Sequence, residues 1–143
     1  MGDAMIIETA LICLALNIYH EARDQTTAGQ LAVAEVTLNR VEHGSFPNSV
    51  CDVVKQGEKD NYGNMERGRC QFSWYCDGDS DKPHEHTAWL RAMHLAEYIL
   101  NENNTISVVG KEATHYHATS VLPYWADDLT RIKKVGDHIF YKQ

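Results

Sequence analysis

Residues 5–25 read MIIETALICLALNIYHEARDQ, a long apolar run that ends in a glutamate and an arginine. The apolar residues recur at intervals of three and four, which predicts an amphipathic helix from about Ala4 to Arg23. One face of this helix carries Ile7, Leu11, Leu14 and Ile18. Glu21 is the next residue on that face, so we expect its carboxylate to point toward the core or into a cleft beside it.

The position of Glu21 has two interpretations. In the first, Glu21 is a general acid or base whose proton persists toward neutral pH because the group lies partly out of water. In the second, Glu21 forms a structural ion pair with Arg23 or Arg40. Ion-pair networks also change pKa values, so position alone favours the ion pair.

The composition is that of one acidic globular domain. The chain has 143 residues, 43% hydrophobic and 23% charged, with a formal net charge of -7. An acidic balance argues against nucleic acid as a partner, because phosphate recognition needs a basic surface. The apolar run is short and contains Glu8, so we expect no membrane insertion. Residues 1–5 lack the basic segment of a secretory signal, so another route must deliver the protein to any substrate outside the cytoplasm.

Capping signals predict two further helices. Thr27 and Gln30 fit a capping box that opens the second helix, and Gly44 would end that helix as its C-terminal cap. Asn48 or Ser49 can cap a short third helix.

The second half of the chain changes character twice. Residues 57–82 are rich in Gly, Asp and Asn and show no sustained period, which predicts a long loop of the kind that is often functional. A further helix follows Pro83. Short strands are predicted at 114–118 and on both sides of a Gly136-Asp137 turn within 130–142. Helices followed by a small antiparallel sheet indicate an α+β fold.

The four cysteines leave their pairing open. Cys13, inside the first helix, is most simply a small buried hydrophobic residue. Cys51, Cys70 and Cys76 lie in the irregular middle of the chain, where one disulfide is expected if the protein works in an oxidising space. Their spacing does not match a zinc site.

Two histidine pairs suggest metal chemistry as an alternative. His84 and His86 flank a glutamate, and His115 and His117 would share one face of a strand and could chelate an ion. The chain has no H-E-x-x-H motif. The simpler interpretation is a solvated helix start for the first pair and ordinary strand side chains for the second.

An aromatic segment, CQFSWYC at 70–76, could bind sugar. Aromatic rings stack on the C–H faces of sugars while amides and hydroxyls bond their OH groups. Besides Gln71, Ser73 and Trp74, the chain offers Tyr116, Tyr124 and Trp125 for these contacts. The alternative is that Phe72 and Trp74 anchor the segment to the core, as aromatic residues often do.

The order of motifs along the chain resembles the cell-wall hydrolase family of the spore-cortex-lytic enzymes. The resemblance runs from about Ile18 to Tyr141 and is carried by seven segments. They are EAR at 21–23, GQLAVAEVTLNRV at 29–41, FPNSVCDVV at 46–54, CQFSWYCDG at 70–78, THYHA at 114–118, P-x-W at 123–125 and VGDHIFY at 135–141.

The resemblance implies a fold and a set of site residues. It implies a lysozyme-like α+β domain, mostly helical with a small antiparallel sheet near the C-terminus, in which 1–143 form one catalytic domain. By this resemblance Glu21 is the catalytic acid, which reverses the ion-pair interpretation. The expected substrate-binding residues are Gln71, Phe72, Ser73, Thr114, Tyr116 and Trp125. No metal and no cofactor are implied.

Two positions depart from the family pattern. His20 stands where the family often has Gly, and Gln25 stands where it often has a second glutamate, with Asp24 one position earlier. Any role of that second carboxylate in other members is therefore not expected here.

The resemblance predicts a monomeric peptidoglycan-degrading enzyme that breaks the β-1,4 bond from N-acetylmuramic acid to N-acetylglucosamine. A lytic transglycosylase giving 1,6-anhydromuramic ends is expected, because no second carboxylate stands out by spacing. The alternatives are a muramidase, a zinc amidase built on His115, His117 and His138, and a glycan-binding module. A chain of this kind starting at Met1 suits a phage endolysin, made in the cytoplasm and released to the wall by a holin.

Overall fold

The computed structural model describes residues 9–101 and 104–143 of the chain. The helices are α1 (Ala10–Ala22), α2 (Thr27–Glu42), α3 (Val50–Val54) and α4 (His86–Leu100). The strands are β1 (Gly57–Lys59), β2 (Met65–Cys70), β3 (Ala113–Ala118), β4 (Thr130–Val135) and β5 (His138–Lys142), and short 3-10 helices cover Ser73–Cys76 and Tyr124–Asp128. Helices precede the C-terminal sheet, which confirms the predicted α+β class. No helix in these described ranges is long and apolar enough to cross a membrane.

Helix α1 is the centre of the larger hydrophobic core. It packs against α2, α3 and α4 and is capped by Thr9, whose hydroxyl accepts an N–H of the first turn. Its buried residues are Cys13, Leu14, Ala15, Asn17, Ile18, Tyr19 and Ala22. Asn17 is satisfied in this core, because it donates to Thr37 at 3.2 Å and accepts from the indole of Trp74 at 2.9 Å. The predicted start of this helix at about Ala4 lies outside the described residues.

The start of α2 differs by one residue from the predicted capping box. Thr26, not Thr27, is the cap, and its hydroxyl accepts the N–H of Gly29 at 3.2 Å. Gln30 reaches the other way and donates to the backbone carbonyls of residues 22 and 23 at 3.0 and 3.3 Å. Its amide therefore joins the end of α1 to the start of α2, which fixes the direction in which α1 ends.

The predicted C-terminal cap of α2 is wrong. The helix ends at Glu42, and His43 leaves it with an extended backbone (φ -94, ψ 129). A chain that leaves a helix in this way needs no left-handed glycine, so Gly44 has no capping role. At the next helix, Ser49 is the cap, as one of the two predicted candidates, and accepts the N–H of Asp52 at 3.2 Å.

The segment 57–82 is not the unbroken loop predicted. Strands β1 and β2 form an antiparallel hairpin in which Gly57 lies opposite Cys70, and a 3-10 helix follows. Most residues of this hairpin are exposed or half-buried, so neither face carries the apolar alternation that signals a strand. This exposure is the physical reason for the wrong prediction.

The C-terminal sheet has strand order β3-β5-β4, all antiparallel. The predicted turn between β4 and β5 is confirmed, with Gly136 at a φ of +57 that other residues rarely adopt. Tyr116 on β3 lies opposite Phe140 on β5, and both face the helices. His115 and its partner Tyr141 point to the other side, because side chains alternate along a strand.

Polar side chains of α2 hold the start of β3 in place. Glu35 accepts hydrogen bonds from three backbone N–H groups in the loop 108–110, at 2.9, 3.0 and 3.1 Å. Asn39 donates to the carbonyls of Gly110 and Ala113 at 2.8 Å. Through these bonds the position of β3 depends on α2.

One cysteine prediction is confirmed and one needs correction. Cys13 is buried as expected, but it forms a disulfide with Cys51, which ties α1 to α3. Cys70 and Cys76 form a second disulfide that closes the aromatic segment into a loop. The disulfide predicted among Cys51, Cys70 and Cys76 is thus present as Cys70–Cys76, and the Cys13–Cys51 bridge is additional to it. The disulfide of Cys13 was not predicted, because an apolar helix face does not show which residue packs against it.

Candidate active site

Glu21 lies in the last turn of α1, where it is half-buried and accepts a hydrogen bond from the hydroxyl of Tyr116. Burial raises the pKa of the Glu21 carboxyl above its usual 4.5, because the charged form loses hydration. The hydrogen bond from Tyr116 and the positive charge of Arg40 act in the opposite direction and offset part of this rise. The proton therefore stays on Glu21 to higher pH than on an exposed glutamate, as general acid catalysis requires.

Arg23 is not the ion-pair partner of Glu21 in the described structure. Its guanidinium donates to the Glu85 carboxylate at 3.2 Å and to the Tyr19 hydroxyl at 3.0 Å. The ion-pair interpretation is thus wrong for Arg23. The group that directly contacts Glu21 is a tyrosine hydroxyl.

Tyr116 brings a neutral hydroxyl to the acid. Burial and the neighbouring Glu21 charge raise the pKa of Tyr116 well above 10.0, so its proton remains on the phenol. The ring packs against Phe140 at 5.4 Å and meets His138 edge-on at 5.1 Å. These contacts fix the direction in which the hydroxyl points.

Arg40 is a buried cation beside this pair. Its side chain is 4% exposed, and its Nε donates to the Thr114 carbonyl at 2.7 Å. The guanidinium lies over the rings of Phe46 and Phe72, at 4.8 and 5.2 Å from their centroids. Its charge acts on both Glu21 and Tyr116.

The predicted cleft segment 71–73 divides into exposed and buried members. Gln71 and Ser73 are exposed, whereas Phe72 is 2% exposed and belongs to the core. Trp74 is also buried and stacks on His20 at 4.5 Å, next to Glu21 in sequence. The anchoring interpretation therefore holds for both aromatic rings, and Gln71 and Ser73 remain the members that a substrate can reach.

Thr114 and Trp125 contact groups other than the Glu21 carboxyl. Thr114 is buried, and its hydroxyl is hydrogen-bonded to Nδ1 of His115 at 3.0 Å. Trp125 is half-buried and packs against His115, His117 and Tyr141, at ring distances of 5.3, 5.7 and 5.4 Å. These rings are on the face of β3 that points away from Tyr116. The structure therefore does not bring Trp125 into contact with Glu21.

The histidines considered for zinc do not converge. His117 uses both ring nitrogens, one with the Ala118 carbonyl and one with the Tyr141 hydroxyl, each at 2.8 Å. His138 lies against Tyr116 on the opposite face of the sheet. Within residues 9–101 and 104–143, no three His, Cys, Asp or Glu side chains are grouped closely enough to hold a metal ion.

Glu21 lines none of three surface cavities of the protein. One, of about 380 Å³, lies between α3 and the hairpin near Lys55 and Tyr75. Two others, of about 610 and 400 Å³, lie where the ends of α2 and α4 approach Lys111. Glu21 therefore does not belong to any of these three cavities.

From the sequence, Arg40 was considered only as an ion-pair partner of Glu21. Its burial next to Glu21 and Tyr116 was not predicted. The signal was available, because Arg40 follows Val33 and Val36 at helical spacing on the buried face of α2. A charged residue at a buried helical position is the same signal that identified Glu21.

Comparison with solved structures defines the class of this fold. The catalytic domain of the germination-specific lytic transglycosylase SleB from Bacillus anthracis is 29% identical, with a TM-score of 0.68 over 99% of this chain and 98% of that chain. The catalytic domain of the Bacillus cereus SleB protein is 26% identical, with a TM-score of 0.65 over 99% of this chain and 100% of that chain. The fold is thus the lysozyme-like α+β class that the sequence predicted.

The family follows from a sequence comparison. The family model for cell wall hydrolases matches residues 24–141, and the chain belongs to that family. The spore cortex-lytic enzyme of Bacillus cereus is 29% identical over 129 residues, which are 90% of this chain and 42% of that enzyme. The chain therefore spans less than half the length of the curated relatives it matches. Glu21 lies just before the range that the family model matches.

Proposed function

We propose that the protein cleaves peptidoglycan glycan strands at the β-1,4 bond between N-acetylmuramic acid and N-acetylglucosamine, as a lytic transglycosylase. The observation that carries this proposal is the half-buried Glu21 carboxyl, whose pKa is raised and which contacts Tyr116. Membership of the cell wall hydrolase family supports the substrate class. The activity named for the similar SleB domain supports the type of reaction.

In the first step Glu21 acts as a general acid. Its carboxylic proton moves to the oxygen that bridges the two sugars while the bond from that oxygen to C1 of the muramic acid breaks. The N-acetylglucosamine leaves as an alcohol, and positive charge develops at C1 and the ring oxygen. Glu21 becomes a carboxylate that accepts the hydrogen bond from Tyr116.

In the second step Glu21 acts as a general base. The C6 hydroxyl of the same muramic acid attacks C1, and its proton returns to the Glu21 carboxylate. The product carries a 1,6-anhydro ring, and no water is consumed. Because the attacking hydroxyl belongs to the substrate, its effective concentration at C1 is high and a second catalytic carboxylate is not required.

Exposed polar groups of the loop 70–76 are the proposed sugar ligands. Gln71 and Ser73 supply an amide and a hydroxyl on the solvent side of the disulfide-closed loop. Phe72 contributes indirectly, because its ring packs against the Arg40 guanidinium. Thr114 supports the same guanidinium through its carbonyl, and Trp125 offers an aromatic surface at the far side of β3.

The proposed place of action is the bacterial cell wall. Two disulfides suit an oxidising space such as the periplasm or the cell surface, because thiols in the cytoplasm are kept reduced. A hydrolase of this family that acts on the wall works in such a space.

Replacement of Glu21 tests the assignment. Glu21→Gln removes the transferable proton but keeps the size and the acceptor for Tyr116, so we expect the rate to fall by about two to four orders of magnitude. The matched control is Glu97→Gln, the same chemical change at an exposed position of α4, which leaves the rate unchanged. Turbidity loss of purified peptidoglycan measures both. A folded Glu21→Gln protein that lyses at the rate of the control would overturn the proposal.

The chemical form of the product separates transglycosylation from hydrolysis. Mass spectrometry of digested peptidoglycan should show muramic ends one water lighter than muramidase products and resistant to borohydride reduction. Reducible ends throughout would mean hydrolysis, with Glu21 still the acid and a carboxylate such as Asp24, Asp77, Asp127 or Asp128 activating water.

A further inference from the structure

Arg40 is a charge in an unusual setting. Arg40 as a residue is 4% exposed, so its charged group has lost most of its hydration, and such a group is normally paired with a carboxylate. Among the described residues, no carboxylate lies within ion-pair distance of Arg40. Its Nη1 is buried and has no hydrogen-bond partner within residues 9–101 and 104–143.

The fold nevertheless holds this side chain firmly. Two aromatic faces, of Phe46 and Phe72, cover the guanidinium, and Nε is committed to the Thr114 carbonyl. Thr114 is two residues from Tyr116 on the same strand. Arg40 thus fixes the strand that delivers the hydroxyl to Glu21 while its positive charge remains uncompensated by a direct contact.

We propose that Arg40 is a positioning residue that stabilises the Glu21 carboxylate after its proton has left and that holds β3 so that Tyr116 reaches this carboxylate. The inference rests on the proposed function, since it describes the same acid. A fixed positive charge inside a poorly hydrated site stabilises developing negative charge without reorganising solvent.

The absence of a direct ion pair among the described residues is part of this role. A direct contact would hold Glu21 permanently as a carboxylate, with no proton to donate at neutral pH. Burial without a nearby charge would make Glu21 too weak an acid. The charge of Arg40 lowers the pKa of Glu21 from the value that burial alone would give, while burial still keeps that pKa raised.

Other titrating groups surround the pair and must be separated from it. Tyr116 faces Glu21 from β3 and stays neutral because its pKa is raised. His138 contacts the Tyr116 ring, and its pKa is lowered from 6.5 by burial. His115, beside Arg40, has its pKa lowered to about 4, and His43 is in ring contact with Phe46. The loss of activity at high pH therefore reports Glu21 more cleanly than the acid limb does.

The test compares pH–rate profiles. Arg40→Gln removes the charge but keeps an N–H donor for Thr114. Loss of a nearby positive charge disfavours the carboxylate, so the proton persists and the alkaline limb moves up by about one pH unit. The weaker acid lowers the maximal rate by about tenfold, with little change in apparent KM. Arg40→Lys keeps the charge and should restore the wild-type limb. Arg23→Met, the loss of a charge already paired with Glu85, is the matched control and should leave the limb in place.

A second probe covers the case in which Arg40→Gln does not fold. Citrulline at position 40, introduced by chemical synthesis, keeps the shape of arginine and its Nε–H donor to the Thr114 carbonyl. It replaces one terminal NH2 with a carbonyl oxygen, so the charge is removed. An alkaline limb that stays within about 0.2 pH unit of wild type in a folded neutral variant would overturn the inference. Activity that survives in Glu21→Gln would instead overturn the proposed function, so the two failures are distinguishable.

Discussion

The two faces of strand β3 have different chemistry. On one face, Tyr116 meets Glu21 under the charge of Arg40, and the pair carries a proton whose position depends on pH. On the other face, His117 bonds to Ala118 and Tyr141 through both of its ring nitrogens. On the second face, both ring nitrogens of His117 have hydrogen-bond partners. On the first face, the charge of Arg40 has no ion-pair partner among the described residues, and the proton of Glu21 can be exchanged.

This difference indicates where function lies. Groups that are buried and fully bonded stabilise a fold but have little freedom to exchange a proton. A carboxyl that is half-buried, bonded to one neutral hydroxyl and influenced by a nearby cation that it does not contact is better suited to exchange a proton. The two faces lie on adjacent residues of one strand, so substitutions can address them separately.

The largest difference between the faces is expected from tyrosine-to-phenylalanine changes. Tyr116→Phe removes the hydrogen bond to the Glu21 carboxylate, so the rate should fall by about ten- to a hundredfold. The bond lowers the pKa of Glu21, so its loss should also move the alkaline limb of the pH–rate profile upward. Tyr141→Phe makes the same change on the other face and loses only the bond to His117. The comparison fails if Tyr141→Phe is as inactive as Tyr116→Phe in protein of equal helix content.

A smaller effect of Glu21→Gln is expected on stability. The substitution should raise the stability of the protein although it lowers the activity. The pKa of Glu21 is raised in the folded state, so its contribution to stability is complete below 4.5 and is lost as the pH rises through the folded value. Glu21→Gln removes this loss and should raise Tm at pH 7 by about 2–5 °C. At pH values below 4.5 the difference should disappear, since wild-type Glu21 is then protonated in both states. Calorimetry at the two pH values measures this, and an equal Tm at pH 7 would mean that burial does not act on the carboxyl.

The histidine face should show the reverse dependence on pH. The pKa of His115 is lowered from 6.5 to about 4 by burial and by the charges of Arg40 and His43, so folding favours its neutral form. Stability that is present at pH 7 is lost as the pH falls from 6.5 toward 4. His115→Gln should therefore flatten the decline of Tm over this interval while leaving Tm at pH 7 nearly unchanged. A decline as steep as in wild type would assign the acid sensitivity to another group.

The sequence predicted the partial burial of Glu21 better than it predicted the groups around it. One helical face runs directly into Glu21 and singles it out, but position alone favours an ion pair, and only the family resemblance makes Glu21 the expected acid. The order of helices and strands follows from local periodicity and caps. The role of Tyr116 as the direct partner depends on how β3 packs across α1, which no local pattern records. The Cys13–Cys51 disulfide was missed for the same reason. The hairpin formed by β1 and β2 was missed because its exposed strands carry no apolar alternation.

The surroundings of Arg40 depend on tertiary contacts that the local sequence does not show. The sequence suggests Arg40 only as one of two possible ion-pair partners of Glu21. The structure places the guanidinium between Phe46 and Phe72, with its charge near the acid but without a direct contact. Local sequence predicts that such a residue is buried, and only the packing of α2 on β3 shows what it faces.

The smallest effect is expected from chelation and from His117. If His115 and His117 held a catalytic zinc ion, excess chelator would abolish activity, and added zinc would restore it. Both nitrogens of His117 are already bonded to protein groups, and His138 faces the other side of the sheet. We therefore expect the rate in excess chelator to stay within about twofold of the untreated enzyme, and His117→Gln to affect stability more than rate. Loss of activity in chelator with recovery in zinc would move the catalytic centre to the histidine face and reverse the contrast between the two sides of β3.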